Sequence, residues 1–344
     1  MGTLICLSGN CDDHHLQHQT HKIVRDVYEV IALEKHPVLD LFEKQFSQRF
    51  HILKAWESEL PLDKFLESHA YSVEALLCPS GGPKVTTDVL GRLPLVGVVI
   101  TTSSGVDHID LLECRRRRVA VANAGDVFSA DVADMAVGML IDVMRKISSA
   151  DRHVRDGNWA SLWNFPFGSR VGGKRIGIVG LGSIGLEIAR RLDAFRCKIS
   201  YLSRKKKECV PYQFVDNVLE LATHCDALIV CCRLTKKTYH MIDRKVLLAL
   251  GKDGVVVNVG RGPVINEKDL VKCLVKGEIR GAALDVFENE PNVPKELFGL
   301  GNVVLSPHRA VTTPEGLNDL SQLIYANLDA FFHGEPLLTP YVDK

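Results

Sequence analysis

Short apolar runs recur along this chain, and most are followed by a stretch whose apolar residues repeat at helical spacing. Continuous apolar runs suit strands buried on both faces, and the helices between them suit crossover connections, so the pattern predicts an α/β fold with parallel sheets. Before residue 120 it predicts strands at Phe50–Lys54, Ala75–Leu77 and Leu95–Thr101, and helices at Pro37–Phe46, Pro61–Glu67 and Thr86–Leu90. These make a small doubly wound, flavodoxin-like unit. From Ser129 to about Arg155, Val132, Ala136, Met139, Leu140 and Val143 share one face of a long helix that ends near Gly157 and joins two lobes.

Beyond that helix come strands at Arg175–Val179, Lys198–Leu202, Ala227–Val230, Val255–Val259, Gly281–Val286 and Val303–Leu305, interleaved with helices such as Ile184–Ala194 and Glu267–Lys276. This is the layout of a six-strand Rossmann sheet. A last helix, Pro314–Phe332, can pack back on the first lobe. The expected division is a discontinuous substrate domain, 1–122 plus 310–344, around a dinucleotide-binding domain, 123–309. The chain then crosses between lobes near Asn123 and near His308, an arrangement suited to closure over a ligand.

Composition narrows the picture. Hydrophobic residues are 46% and charged residues 24%, enough apolar surface for a folded core. Basic and acidic residues balance at 42 each, so no global field gathers nucleic acid or an anionic membrane, and no apolar run has the length of a spanning helix. Ten cysteines without CxxC spacing point to reduced thiols and a reducing compartment, cytoplasmic, with a plastid as the alternative. His14, His15, His18 and His21 have helical spacing, but no cysteine or carboxylate cluster completes a site, so a polar leader is the reading and no metal is expected. The run Arg115–Arg118 lacks interleaved aromatics and reads as a solvated helix end. Trp159, Trp163, Phe165 and Phe167 form an aromatic loop, expected in core or dimer packing or as an arm toward a neighbouring subunit's pocket.

Gly180-Leu181-Gly182-Ser183-Ile184-Gly185 follows a strand and opens a helix. In that setting the first glycine permits the tight turn, the second lets backbone approach a pyrophosphate, and the third allows close packing of helix on strand. About 20 residues on, where an NAD site places an acid against the ribose 2′-hydroxyl, this chain has Ser203, Arg204 and Lys205 followed by two more lysines. A hydroxyl and cations would bind a 2′-phosphate, so NADPH is preferred over NADH.

Three more segments close predicted strands: Val257–Gly262 with Arg261, Leu284–Pro291 with Asp285 and Glu290, and Leu305–His308. Carboxyl ends of strands line the crevice of an open α/β sheet, so these residues can converge. Hydride transfer to a 2-keto acid needs a proton donor, a partner that holds it, and a cation for carbonyl and carboxylate. We assign His308 as donor, Glu290 as the partner favouring its charged form, and Arg261 as the cation. Each alone has an ordinary alternative: a loop histidine, a turn carboxylate, a surface ion pair.

With GLGSIG, NVGRG, LDVFENEP and SPH in this order, the chain resembles the D-isomer-specific 2-hydroxyacid dehydrogenase family beyond about residue 30, and within it the plant glyoxylate/hydroxypyruvate and hydroxyphenylpyruvate reductases. The resemblance implies catalytic roles for Arg261, Glu290 and His308. It implies a nicotinamide-amide contact for Asp285, cofactor contacts at Cys232, Val259 and Gly260, and a carboxylate-binding loop at Ser103, Ser104, Gly105 and Val106. It further implies a small 2-keto or D-2-hydroxy acid as substrate and a homodimer built on the helix near Ser129–Lys146. Two departures stand out. Arg309-Ala310-Val311-Thr312 replaces a small, glycine-rich turn, and Cys231-Cys232-Arg233-Leu234-Thr235 lacks the usual proline, which implies a shifted cofactor loop. The rival reading is a nicotinamide-sensing corepressor or interaction module on the same fold, which would bind cofactor tightly without turnover. The sequence shows no peptide-docking annex to favour it.

Overall fold

A computed structural model describes residues 27–79, 81–160 and 165–342. The histidine-rich stretch 14–21 and Trp163 therefore lie outside the described residues. In the first lobe the strands are β1 (Tyr28–Ala32), β2 (Phe50–Lys54), β3 (Ala75–Cys78), β4 (Val98–Thr101) and β5 (Ala120–Ala122). Its helices are α1 (Pro37–Leu41), α2 (Glu43–Phe46), α3 (Leu62–Ser68), α4 (Thr87–Arg92) and α5 (Leu111–Arg117). All pairs are parallel in the order β2-β1-β3-β4-β5, the flavodoxin-like arrangement expected.

Then follow α6 (Ser129–Arg145), α7 (Ile147–Arg155), β6 (Arg175–Val179), α8 (Ser183–Ala194), β7 (Lys198–Leu202), β8 (Gln213–Phe214), α9 (Val218–Thr223), β9 (Ala227–Val230), α10 (Arg244–Leu250), β10 (Val255–Asn258), α11 (Glu267–Val275), β11 (Gly281–Leu284), β12 (Val303–Leu305) and α12 (Pro314–His333). The second sheet has the order β12-β11-β10-β9-β6-β7-β8. Strand order reverses between β6 and β9, and at such a reversal the carboxyl ends of the strands part into a ligand crevice.

Several expectations need correction. The first sheet contains β1, whose short YEVIA run escaped notice beside a polar leader. The second has seven strands rather than six, because the two-residue β8 extends its edge beside β7. The helix over 37–46 is broken at Phe42, and the helix over 129–155 is broken at Lys146, which takes a left-handed φ of 58°. At the second break the Asp142 carboxylate accepts hydrogen bonds from the amide and hydroxyl of Ser148, capping α7 in place of helical continuity.

The sheets are buried as the apolar runs require: β3, β4, β9, β10 and β11 have no exposed residue. Helix α6 buries Val132, Ala133, Ala136, Val137, Leu140, Val143 and Met144 in the largest core cluster. Each of its Val, Leu and Met side chains, fully buried, contributes about 1.5–3 kcal/mol. Helix α12 returns to the first lobe, where the Phe332 ring stacks on Tyr28 at 4.0 Å and Asp329 pairs with Arg49 at 2.6 Å. The tail after it is held by the buried Asn327, whose Oδ1 accepts the amides of Leu338 and Thr339. Thr339 in turn donates its hydroxyl to the Asn123 carbonyl at 2.6 Å.

Candidate functional site

The glycine turn sits where strand order reverses. Gly180 has φ of 105°, and a methyl group there would meet the backbone of Cys232 at 2.8 Å. Gly185 lies against the Gly180 carbonyl with no room for a methyl, whereas the space beside Gly182 is open. Gly182 caps α8 without a side-chain hydrogen bond. Unsatisfied amides at Ser183 and Ile184 and the positive end of the helix dipole are thus available to an anion, so the turn fits a pyrophosphate. Leu181 is buried and Ile184 packs on the core, fixing the turn from beneath.

One strand outward, Ser203 donates its hydroxyl to the Lys205 carbonyl at 2.5 Å, and the amide of Lys207 donates to the phenol oxygen of the fully buried Tyr201 at 2.8 Å. The basic turn is therefore anchored, while Arg204, Lys205, Lys206 and Lys207 remain exposed. On the other side of the glycine turn, the Cys231 thiol donates to the Gly180 carbonyl at 3.1 Å, and the Cys232 backbone packs between Gly180 and Gly260. Burial pushes the Cys232 thiol up to about 11, and also raises that of Cys231, so both stay protonated. All eight cysteines among the described residues are free thiols.

Arg261 is displayed by a turn that Asn258 builds. The Asn258 side chain, 1% exposed, accepts from the Gly260 amide at 3.1 Å and donates to the Arg261 carbonyl at 3.0 Å, and Val259 is tied to Val230. Arg261 Nη1 donates to the Gly260 carbonyl at 2.9 Å, Nε faces Asp107 of the first lobe at 3.4 Å, and Nη2 lies over Gly105 where a methyl would stand. A second guanidinium, Arg233, reaches across to the Tyr341 ring at 5.9 Å.

His308 has φ of 54°, a left-handed conformation stabilised by Asp285. Its Nδ1 lies 2.8 Å from Glu290 Oε2, and the Phe287 amide donates to Oε1 of the same carboxylate at 3.0 Å. An ionised carboxylate only accepts, so Nδ1 carries the proton and Nε2 has no partner among the described residues. Burial would raise the Glu290 pKa, but the hydrogen bonds from His308 and the Phe287 amide, with the charges of His308 and Arg261, outweigh it and hold the carboxyl below its ordinary value.

Across the crevice, the loop from Ser103 to Val106 has every carbonyl occupied. Ser103 O accepts the Ala124 amide, Ser104 O the Asn123 side chain, Gly105 O the Ser103 hydroxyl and Val106 O the Ile109 amide. Among the described residues the amides of Ser104, Gly105 and Val106 meet no acceptor. Three free N–H groups in sequence, with Arg261 Nη2 beside them, make a cradle for a carboxylate.

The fold sets Arg261 beside Gly105 and pairs His308 with Glu290, and sequence reasoning missed the residues that fix them. Asn258 lay inside a motif already singled out, and a polar residue closing an apolar strand was its signal. Asp107 gave no signal, because its pairing with Arg261 spans two lobes. Asp285 differs in part: it is 1% exposed, with Oδ1 accepting from Ser306 and the Arg309 amide and Oδ2 from the Ala310 amide. Its carboxylate supports the His308 turn. Among the described residues no cluster suits a metal, and no helix is long and apolar enough to cross a membrane. Of the aromatic loop, Trp159 is 65% exposed and Phe167 89%, so these two are not core.

Residues 137–310 match the model of the D-isomer specific 2-hydroxyacid dehydrogenase NAD binding domain. A glyoxylate/hydroxypyruvate reductase of Arabidopsis thaliana is 51% identical over 90% of this chain and 96% of its own, and a hydroxyphenylpyruvate reductase of Plectranthus scutellarioides is 43% identical over 89% and 97%. Among solved structures, an NADPH-dependent glyoxylate/hydroxypyruvate reductase from Sinorhizobium meliloti, in complex with NADP and malonate, superposes with a TM-score of 0.83 at 32% identity, covering 92% of this chain and 97% of that one. The chain belongs to the D-isomer-specific 2-hydroxyacid dehydrogenase family.

Proposed function

We propose that this protein is an NADPH-dependent reductase of small 2-keto acids, yielding D-2-hydroxy acids, with Arg261, Glu290 and His308 as its catalytic residues. The observation that carries the reading is the His308–Glu290 pair, with Nδ1 spent on the carboxylate and Nε2 without a partner among the described residues. The free amides of Ser104, Gly105 and Val106 and the guanidinium of Arg261 bind the substrate carboxylate and turn its carbonyl oxygen toward His308. A nicotinamide bound beside them would supply the hydride. His308 delivers the Nε2 proton to the carbonyl oxygen, and Glu290 stabilises the imidazolium beforehand and keeps the ring oriented. In the reverse direction Nε2 accepts that proton.

Gly180, Leu181, Gly182, Ser183, Ile184 and Gly185 hold the pyrophosphate, and Cys232, Val259 and Gly260 form the wall between that turn and Arg261. Ser203, Arg204 and Lys205 favour NADPH through the 2′-phosphate, with NADH a weaker alternative. With Asp285 committed to the His308 turn, its Oδ2 accepts a single protein N–H and keeps lone-pair capacity for the nicotinamide amide. We further place the lobe boundaries at residues 122/123 and 309/310. The exposed Ile147, Val154, Trp159 and Phe167 beside α6 support a homodimer. Glyoxylate, hydroxypyruvate and hydroxyphenylpyruvate are the substrates to test, with NADPH and NADH, by cofactor absorbance. Tight NADPH binding with no turnover of any of them would favour the corepressor-like reading instead.

A further inference from the structure

We infer that Thr101 and His108 are positioning residues that act through Ser103 to hold the amide cradle open for the substrate carboxylate. The inference rests on the reductase reading for its substrate, although not for its geometry. The His108 ring is 5% exposed and Thr101 is fully buried, both beneath the loop. His108 Nε2 lies 3.0 Å from Thr101 Oγ1, which lies 3.2 Å from Ser103 Oγ, which lies 2.7 Å from the Gly105 carbonyl.

One placement of protons satisfies every link of this chain, beside which the Cys78 thiol lies 3.7 Å from His108 Nε2. A carbonyl accepts, so the Ser103 hydroxyl donates to Gly105. The Thr101 hydroxyl then donates to Ser103 Oγ, and His108 Nε2–H donates to Thr101, which also takes the Ser103 amide at 3.3 Å. Nδ1 of His108 is left as a bare buried acceptor, with no partner among the described residues. A proton there would add an unpaired buried donor, so the ring stays neutral and the relay runs one way. Its last link occupies the Gly105 carbonyl, which would otherwise turn toward an incoming carboxylate and repel it. The peptide plane that carries this carbonyl also carries the Val106 amide, so fixing one aims the other. Thr101 and His108 are buried and act only through the loop, which distinguishes them from Arg261 and His308.

Thr101→Val removes the hydroxyl and keeps the β-branched shape, whereas Thr101→Ser keeps the hydroxyl. For the full-length protein, Thr101→Val is expected to raise KM for glyoxylate about tenfold and the inhibition constant of oxamate by a similar factor, with kcat within about twofold. The NADPH dissociation constant should not move, and Thr101→Ser should restore both carboxylate constants. Unchanged constants in Thr101→Val, or a loss that Thr101→Ser fails to rescue, overturn the inference. If Thr101→Val does not fold, Ser103→Ala cuts the same relay one step on and must show the same split between KM and kcat. If the wild-type protein turns over no 2-keto acid, the reductase reading falls, and oxamate binding by calorimetry still decides. A tenfold weaker Thr101→Val supports the cradle, while equal or absent binding refutes it.

Discussion

The amide of His308 donates to the carbonyl of Asp285 at 2.8 Å, and the side chain of Asp285 gathers the Ser306 hydroxyl and the amides of Arg309 and Ala310. The turn displaying the imidazole is therefore built on one buried carboxylate. Asp285→Ala strands three donors, two of them buried, and is expected to lower unfolding free energy by ~3 kcal/mol and to reduce turnover with it. Urea unfolding checks the first, and a midpoint matching the wild type would contradict the arrangement.

Replacing His308 by Asn keeps a residue tolerant of left-handed φ and removes the proton carrier. Turnover of glyoxylate with NADPH should fall about 10²- to 10⁴-fold, with NADPH affinity preserved. A variant that retains a tenth of wild-type kcat would rule out the assigned role.

The Glu290 carboxyl titrates below its ordinary value when folded and at that value when unfolded. Its contribution to stability is therefore complete above the ordinary carboxylate range and is lost as pH falls through the lower, folded value. At 37% side-chain exposure the contribution is small. Unfolding curves across this acid window should show the wild type losing an increment of stability that Glu290→Gln never had. Parallel pH profiles for the two proteins would refute the pairing.

Arg204→Asp places a carboxylate where a 2′-phosphate is expected to bind. The KM for NADPH should rise about 10- to 100-fold while that for NADH stays within about twofold. Equal losses with both cofactors would sink the assignment of the basic turn.

Much of this architecture was legible because the apolar runs are long and their spacing regular. Val255–Asn258 and Ala227–Val230 lie in all-buried strands and could hardly be read otherwise. The glycine turn and the Glu290–His308 pair were legible because each chemistry demands particular residue types near strand ends. What escaped depends on distant partners. The break at Lys146 hangs on Asp142 preferring Ser148 as its partner, a contest between two acceptable helices that periodicity cannot decide. The short β8 exists only as an edge against β7. Asp107 and His108 matter through residues in β4 and in another lobe, so no local pattern marks them.

The stacking of Phe332 on Tyr28 and the tie from Thr339 to Asn123 bear on the order of synthesis. A ribosome delivers β1 to β5 before the Rossmann unit, yet α12, which covers part of that sheet, is made only after it. The nascent first lobe must wait, partly uncovered, while the whole intervening Rossmann unit is translated and folds. Growing chains released before α12 should accordingly be sticky and dependent on chaperones, although every residue of the reduction chemistry has already been made.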